Sequence, residues 1–263
     1  MTRKKFSVSL IALFIALLTA GVAFAQNGQN GQDIVQSPEN SLFYNIGNDH
    51  RDVAILFNRL ETMVAEQDQM DGEQQTTDAQ ALFDELTTAL LAHGAAAEQT
   101  LYQALADNQT NGTMDTMGSL SDLGVQLAVD LHVANLQLWE LRNTTMDSGI
   151  WLSKFRVLED NVTSHFKREV LYGYSEGMAA LDDQQATQLG QQYQTIKQQT
   201  ITEIESQDLN TYLEQALCEP ILGEDQGFCI TTDSGMNGDG GQTGDGDQTG
   251  DDGQTDDGEE TTS

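Results

Sequence analysis

Residues 151–172 read WLSKFRVLEDNVTSHFKREVLY, and Trp151, Phe155, Leu158, Val162, His165, Glu169 and Tyr172 recur in it every three or four residues. That spacing is the stripe an amphipathic helix turns toward a core. A histidine and a carboxylate stand inside the stripe, where apolar residues are the rule. Three more stripes of the same period lie upstream. One runs Ile46, His50, Val53, Phe57, Leu60, Val64; another Leu82, Leu86, Leu90, His93, Ala97, Leu101, Ala104; the third Val125, Val129, His132, Leu136, Trp139.

The segments between the stripes, near 67–76, 107–117 and 143–149, are rich in Gly, Asn, Asp and Thr and predict short connections between antiparallel neighbours. Only Pro38 and Pro220 are prolines, so nothing between them has to interrupt a helix. The expected fold is all-α: an antiparallel up-down four-helix bundle over residues 40–180. A further helical pattern, Leu189, Tyr193, Ile196, Thr200 and Ile204, follows Asp182-Asp183, a natural N-terminal cap. It predicts an extra C-terminal helix packed outside the four, within an extension over 181–230.

The ends read differently. Arg3, Lys4 and Lys5 precede an apolar run, Leu10 to Leu18, and Ala23-Phe24-Ala25 supplies a small-x-small pattern before Gln26. Residues 1–25 are therefore expected to be a secretory signal peptide, too short to anchor the mature protein in a membrane and without a following Cys to carry a lipid. Residues 26–39 look like a flexible lead-in. Residues 231–263 hold ten acids and no base among Gly, Thr and Gln, and read as a disordered acidic tail. Its Gly244-Asp245-Gly246-Asp247 and Asp251-Asp252 pieces lack the alternating ligand spacing of a calcium loop.

The formal net charge of −31 becomes −34 once residues 1–25 are removed. Nucleic acid and anionic lipid are poor partners for such a chain, whereas metal ions or other cations suit it. Cys218 and Cys229, separated by ten residues in a chain expected to be exported, are expected to close a small loop as a disulfide. The location that follows is periplasmic or secreted.

All four histidines of the chain fall on stripes, each on a different predicted helix. A lone core histidine is more often a hydrogen-bonded packing residue than a ligand. If a stripe covers about three positions in seven, however, four of four by chance has a likelihood of roughly 3%. Imidazoles projecting into a bundle interior are how helical proteins hold iron, zinc or copper. Ala89, Ala96 and Ala97 beside His93 leave room for an ion or small molecule, or serve only as good helix formers.

The arrangement repeats in two halves: Asp49-His50-Arg51-Asp52 with Leu56 and Leu60, then Leu90 to Leu105 (LLAHGAAAEQTLYQAL), then His132 with Leu136, then His165-Phe166-Lys167-Arg168-Glu169. Over residues 40–180 this resembles the hemerythrin-like, HHE cation-binding family. The resemblance implies His50, His93, His132 and His165 as metal ligands with Glu169 as carboxylate, and one or two non-heme iron ions as cofactor. His165 and Glu169 stand one turn apart on one helical face, so both reach one ion. In the first half the family's Glu position holds Ala97; Glu98, the nearest acid, is about 140° around an α-helix from His93 and joins the site only if the helix is distorted there.

Other chemistries find no support. The residues three before the histidines are Gly47, Leu90, Val129 and Val162, so the Glu-x-x-His pairs of ferritin-like diiron oxidases are absent, as are a Walker loop, a His-Glu-x-x-His zinc motif and a Gly-x-Ser-x-Gly elbow. The reading is an exported iron-binding protein that binds dioxygen or senses redox state. Two alternatives stay open: an iron oxidase or peroxide scavenger, and a structural bundle without metal. Whether the chain is an enzyme is not decided by its sequence.

Overall fold

The computed structural model describes residues 39–65, 72–107, 120–146 and 148–222, and every regular element among them is helical. Helix α1 spans Leu42–Ala65 and α2 Gly72–Ala97. The chain then passes through a π-helical turn, Glu98–Tyr102, into the short α3, Gln103–Asp107. Helix α4 is Leu120–Arg142 and α5 Gly149–Arg168. A second π-helical turn, Glu169–Gly173, leads into α6, Tyr174–Ala180, followed by α7, Asp183–Ser206, and α8, Leu209–Cys218. Among these residues no helix is long and apolar enough to cross a membrane. The signal peptide, lead-in and acidic tail expected from the sequence lie outside the described residues, as does Cys229.

Local chemistry sets several helix starts. Ser148 caps α5 by accepting from the Trp151 amide at 3.1 Å, and Asp208 caps α8 from the Thr211 amide at 3.1 Å. Asp182 opens α7 with a reciprocal box: its carboxylate accepts from the Gln185 amide while the Gln185 side chain accepts from the Asp182 amide.

The interior consists of two apolar clusters. One contains Val53, Phe57, Leu60, Leu86, Leu90, Leu138, Trp151, Phe155, Val162 and Phe166; the other contains Leu42, Ile46, Ala97, Leu101, Tyr102, Leu127, Leu131, Tyr174 and Tyr193. Membership switches at one level along the helices that carry the histidines of the core: between Ile46 and Val53 on α1, Leu91 and Ala96 on α2, Phe166 and Tyr174 along α5–α6. Asp49, His50, His93, His165 and Glu169 occupy that level, all buried. A polar layer thus sits between two apolar ones.

The structure corrects three readings of the stripes. On α4 the buried face is Leu127, Leu131, Ala134, Leu138 and Leu141, whereas Val129 is 40% exposed and His132, Leu136 and Trp139 are only half-buried. The helix is apolar on two sides because α8 covers part of the second one with Tyr212 and Ala216, and a period of 3.6 cannot choose between two apolar faces. Beyond the π turns the register slips by about one residue: Tyr102 and Leu105 are buried and Ala104 only partly, and Gly173 and Tyr174 are buried while Tyr172 is 51% exposed. Finally, α7 does not merely pack outside. Gly190 lies so close to the start of α1 that a Cβ there would meet the Asn40 carbonyl oxygen at 2.1 Å, and Tyr193 reaches the polar layer with no exposed surface.

Candidate metal centre

Helices α1 and α2 and the π-helical turn that follows α5 bring His50, His93 and Glu169 together, with one donor atom of each lying within 4.8 Å of the others. His50 Nε2 is 2.6 Å from Glu169 Oε2, and His93 Nε2 is 3.6 Å from the same oxygen. The other carboxylate oxygen, Oε1, accepts from the Tyr102 hydroxyl at 3.0 Å. That hydroxyl is also 3.1 Å from His165 Nε2. His50, His93, Tyr102 and Glu169 have no exposed surface, and His165 almost none.

Burial alone would raise the Glu169 pKa, but the imidazoles of His50, His93 and His165 outweigh it and hold the group down to about 2. His93 is lowered to about 4, chiefly by burial, against the pull of the Glu169 carboxylate. At neutral pH it is therefore an uncharged imidazole, the form that donates a lone pair to a metal.

Hydrogen bonding fixes its tautomer. The Tyr193 hydroxyl donates its one proton to Asp49 Oδ2 at 2.7 Å, so at His93 Nδ1, 2.8 Å away, it accepts. The ring proton is then on Nδ1, and the Nε2 lone pair points into the cluster, where it has no hydrogen-bond partner among the described residues. Lys197 completes the chain by pairing with Asp49 Oδ1. Such an outer partner, holding the distal nitrogen of a histidine, is the usual support of a metal ligand. Phe166 stacks on His50 with centroids 3.8 Å apart and planes inclined by 17°.

The donor set fits a first-row metal. Two to three imidazoles with a carboxylate suit iron, zinc or copper, and an unpartnered buried nitrogen aimed at a carboxylate would otherwise be costly to bury. Of the residues singled out from the sequence, the structure gathers His50, His93 and Glu169, with His165 bridged to them by Tyr102. His132 and Glu98 are not gathered. His132 stands at the right height on α4, but Leu131 takes the inward position, packing toward Gly94 of α2. His132 and Glu98 instead line a separate small cavity with Glu219, Asn135 and Tyr212. Burial and the neighbouring Glu219 carboxylate raise the Glu98 pKa, although the Leu222 backbone binds its side chain. The turn beginning at Glu98 is distorted, as a shared ion would have required, yet it turns other residues inward. Cys218 ends α8, half-buried, and its expected pairing with Cys229 falls outside the described residues.

Tyr102, Tyr193, Asp49 and Lys197 were not legible as site residues. Tyr102 lies nine residues past His93, about 180° around an unbroken α-helix. The π turn adds in effect one residue and leaves it about 80° away. Gly124 of α4 permits this packing, since a Cβ there would meet the Tyr102 carbonyl oxygen at 2.6 Å.

Residues 41–170 match the family model of the hemerythrin HHE cation binding domain, a span that runs from the start of α1 into the turn carrying Glu169. No curated protein and no solved structure matches the chain. Tyr193 and Lys197 of α7 lie beyond the matched span. Through residues 41–170, the chain belongs to the hemerythrin HHE cation-binding domain family.

Proposed function

We propose that this protein is an exported, periplasmic or secreted iron-binding protein that binds dioxygen or senses redox state, with the metal held by His50, His93, His165 and Glu169 inside an antiparallel up-down four-helix bundle. The observation that carries the reading is the His93 Nε2 lone pair, buried, unpartnered and aimed at Glu169 and His50. Iron bound there supplies reversible one-electron chemistry and, with few protein ligands, a coordination position for a small molecule. The chain's own residues do the rest. Tyr193, Asp49 and Lys197 orient His93, Phe166 holds the His50 ring in place, and the apolar clusters above and below exclude bulk water. The strong negative charge of the chain raises the local concentration of cations.

A second reading, an iron oxidase or peroxide scavenger, is favoured by Ala97, which leaves the first half without the carboxylate of the family pattern. Fewer protein ligands leave more open positions for a reacting molecule. The two readings part in one experiment: untagged protein is analysed for metal, its optical spectrum is recorded under air and nitrogen, and peroxide consumption is followed. Reversible spectral change without turnover supports binding or sensing, and steady peroxide loss supports the second reading. A His93→Ala, His165→Ala double variant should lose most of the bound metal. Unchanged metal content would refute the ligand assignment.

A further inference from the structure

Glu169 offers its two oxygens to two different groups of side chains. Oε2 faces His50 Nε2 and His93 Nε2, while Oε1 faces the Tyr102 hydroxyl at 3.0 Å, itself 3.1 Å from His165 Nε2. We propose that Tyr102 is a metal ligand, its phenol oxygen joining His165 Nε2 and Glu169 Oε1 around the ion. The inference rests on the iron-binding reading above and adds to it a residue type that the family pattern does not supply.

Three observations carry it. The first is spacing: two donors each about 2.1 Å from one first-row ion and at right angles stand about 3 Å apart, as Tyr102 oxygen does from both its neighbours. The second is the origin of oxygen ligands in the first half. Ala97 is a fully buried methyl group, and Glu98 turns toward the His132 cavity. The π turn between Glu98 and Tyr102 brings the tyrosine round in their place, and such turns are frequent at functional sites.

The third is the outer side of His165. Since the Tyr102 proton goes to Glu169, the phenol oxygen can only accept from His165 Nε2, which leaves the Nδ1 lone pair facing Asp130 Oδ2 at 3.6 Å, two acceptors without a proton between them. When Nε2 donates to an ion, the ring proton resides on Nδ1 and faces that carboxylate, the arrangement ligating histidines favour. Asp130 is in turn held by Arg168 at 2.8 Å.

On coordination the phenol O–H bond breaks, an oxygen–metal bond forms, and the proton passes to solvent. The charge of the cation offsets that of the phenolate, so a group that stays protonated in the metal-free core becomes an anion beside the ion. No electron is transferred in this step.

The test uses the full chain, loaded with iron and oxidised with ferricyanide. A ferric ion bound by a phenolate absorbs in the visible through charge transfer from the ring, which imidazole and carboxylate ligands do not do. The expected result is a broad visible band, with resonance Raman ring modes that shift when the protein is grown on ring-deuterated tyrosine. The band, read per iron bound, should be lost in Tyr102→Phe and kept in Tyr174→Phe, a buried tyrosine whose hydroxyl donates to the Phe43 carbonyl rather than to a site residue. Iron bound without the band, a band without the deuterium shift, or a band that survives Tyr102→Phe overturns the inference and leaves the binding site standing. A parent chain that takes up no iron overturns both. Should Tyr102→Phe fail to fold, as judged by circular dichroism, the deuterium shift together with Tyr174→Phe decides: loss of the band per iron bound in Tyr174→Phe overturns the assignment to Tyr102, and its retention together with the shift supports it.

Discussion

Replacing Tyr193 by Phe would remove one oxygen atom from the interior and two hydrogen bonds with it. The His93 Nδ1 proton would lose its acceptor at 2.8 Å, and Asp49 would lose its donor at 2.7 Å. A buried polar group left unpaired costs about 1–3 kcal/mol. Asp49 keeps Lys197, so its share lies at the low end, and a total of about 2–4 kcal/mol in folding stability is expected. Relaxation would reduce this if Asp49 closed the 3.9 Å gap to His93 Nδ1 and took over as acceptor. Metal affinity should suffer separately, because loss of an outer partner typically weakens binding by about 10–100-fold, or roughly 1.4–2.7 kcal/mol. Urea unfolding of metal-free protein measures the first quantity, and competition against a chelator of known affinity measures the second. If both stay within twofold of the parent, the hydroxyl neither supports His93 nor connects α7 to the centre, and the reasoning fails.

Glu169→Gln should weaken metal retention at least tenfold while Glu98→Gln leaves it nearly intact, since only Glu169 contacts the cluster; equal losses, read by metal analysis after dialysis, would return Glu98 to the site. In the metal-free protein, stability should fall as pH drops from 6.5 toward 4, because the unfolded chain takes up a proton on His93 that the native chain, with a pKa of about 4, refuses. The full shift corresponds to about 3 kcal/mol, and Glu169, held at about 2, extends the same loss from pH 4.5 downward. Glu159 acts oppositely between pH 4.5 and 7: burial first, then Glu61 and Asp160, push its carboxyl up to about 7, so the native state binds the proton there. Urea midpoints at pH 7, 6 and 5 in the parent and in His93→Gln separate the two, and equal slopes in both proteins would contradict the His93 assignment. Gly190→Ala should destabilise the fold by about 3 kcal/mol, since its Cβ would meet backbone atoms of Asn40 and Leu42 at 2.1 and 2.7 Å, and the melting temperature should drop by many degrees.

The legible parts of the fold were those with one apolar face. Helices α1, α2 and α5 carry single stripes, so Ile46 to Val64, Leu82 to Leu101 and Trp151 to Glu169 could be read inward from periodicity alone. Helix α4 could not, because Leu127, Leu131 and Leu138 face the core while Val125, Leu136 and Trp139 form a second apolar side, partly under α8. His132 was drawn onto the wrong face with them. The π turns were equally hidden: a helix closed by i→i+5 bonds leaves no mark in a period of 3.6, and its trace is only the slip from Ala97 to Tyr102 and from Glu169 to Gly173. Tyr193 was visible as a stripe residue of α7, but a stripe states that a side chain is buried without stating against what.

The three imidazoles of the centre are each oriented by a different device. His165 faces Asp130 within the bundle, His93 depends on Tyr193 from outside the matched domain, and His50, whose Nδ1 has no hydrogen-bond partner among the described residues, is positioned by the stacked Phe166 ring and by Glu169. These devices differ in what they cost to lose. Stacking holds a ring plane but leaves its rotation within that plane to the single contact with Glu169, whereas the Tyr193–Asp49–Lys197 chain fixes both the plane and the proton of His93. His93 is therefore the histidine whose lone pair is already free to meet an ion, and on the proposed assignment His50 would have to exchange its hydrogen bond to Glu169 for a bond to the metal. The prepared ligand is also the one tied to α7. Because a metal that binds only the native arrangement stabilises everything that arrangement requires, a metal held at the proposed centre would hold α7 in place although that helix contributes none of the proposed ligands, and loosening α7 would weaken binding by the same free energy. On that assignment the extension would be part of the centre in the thermodynamic sense, even though the family match ends at residue 170.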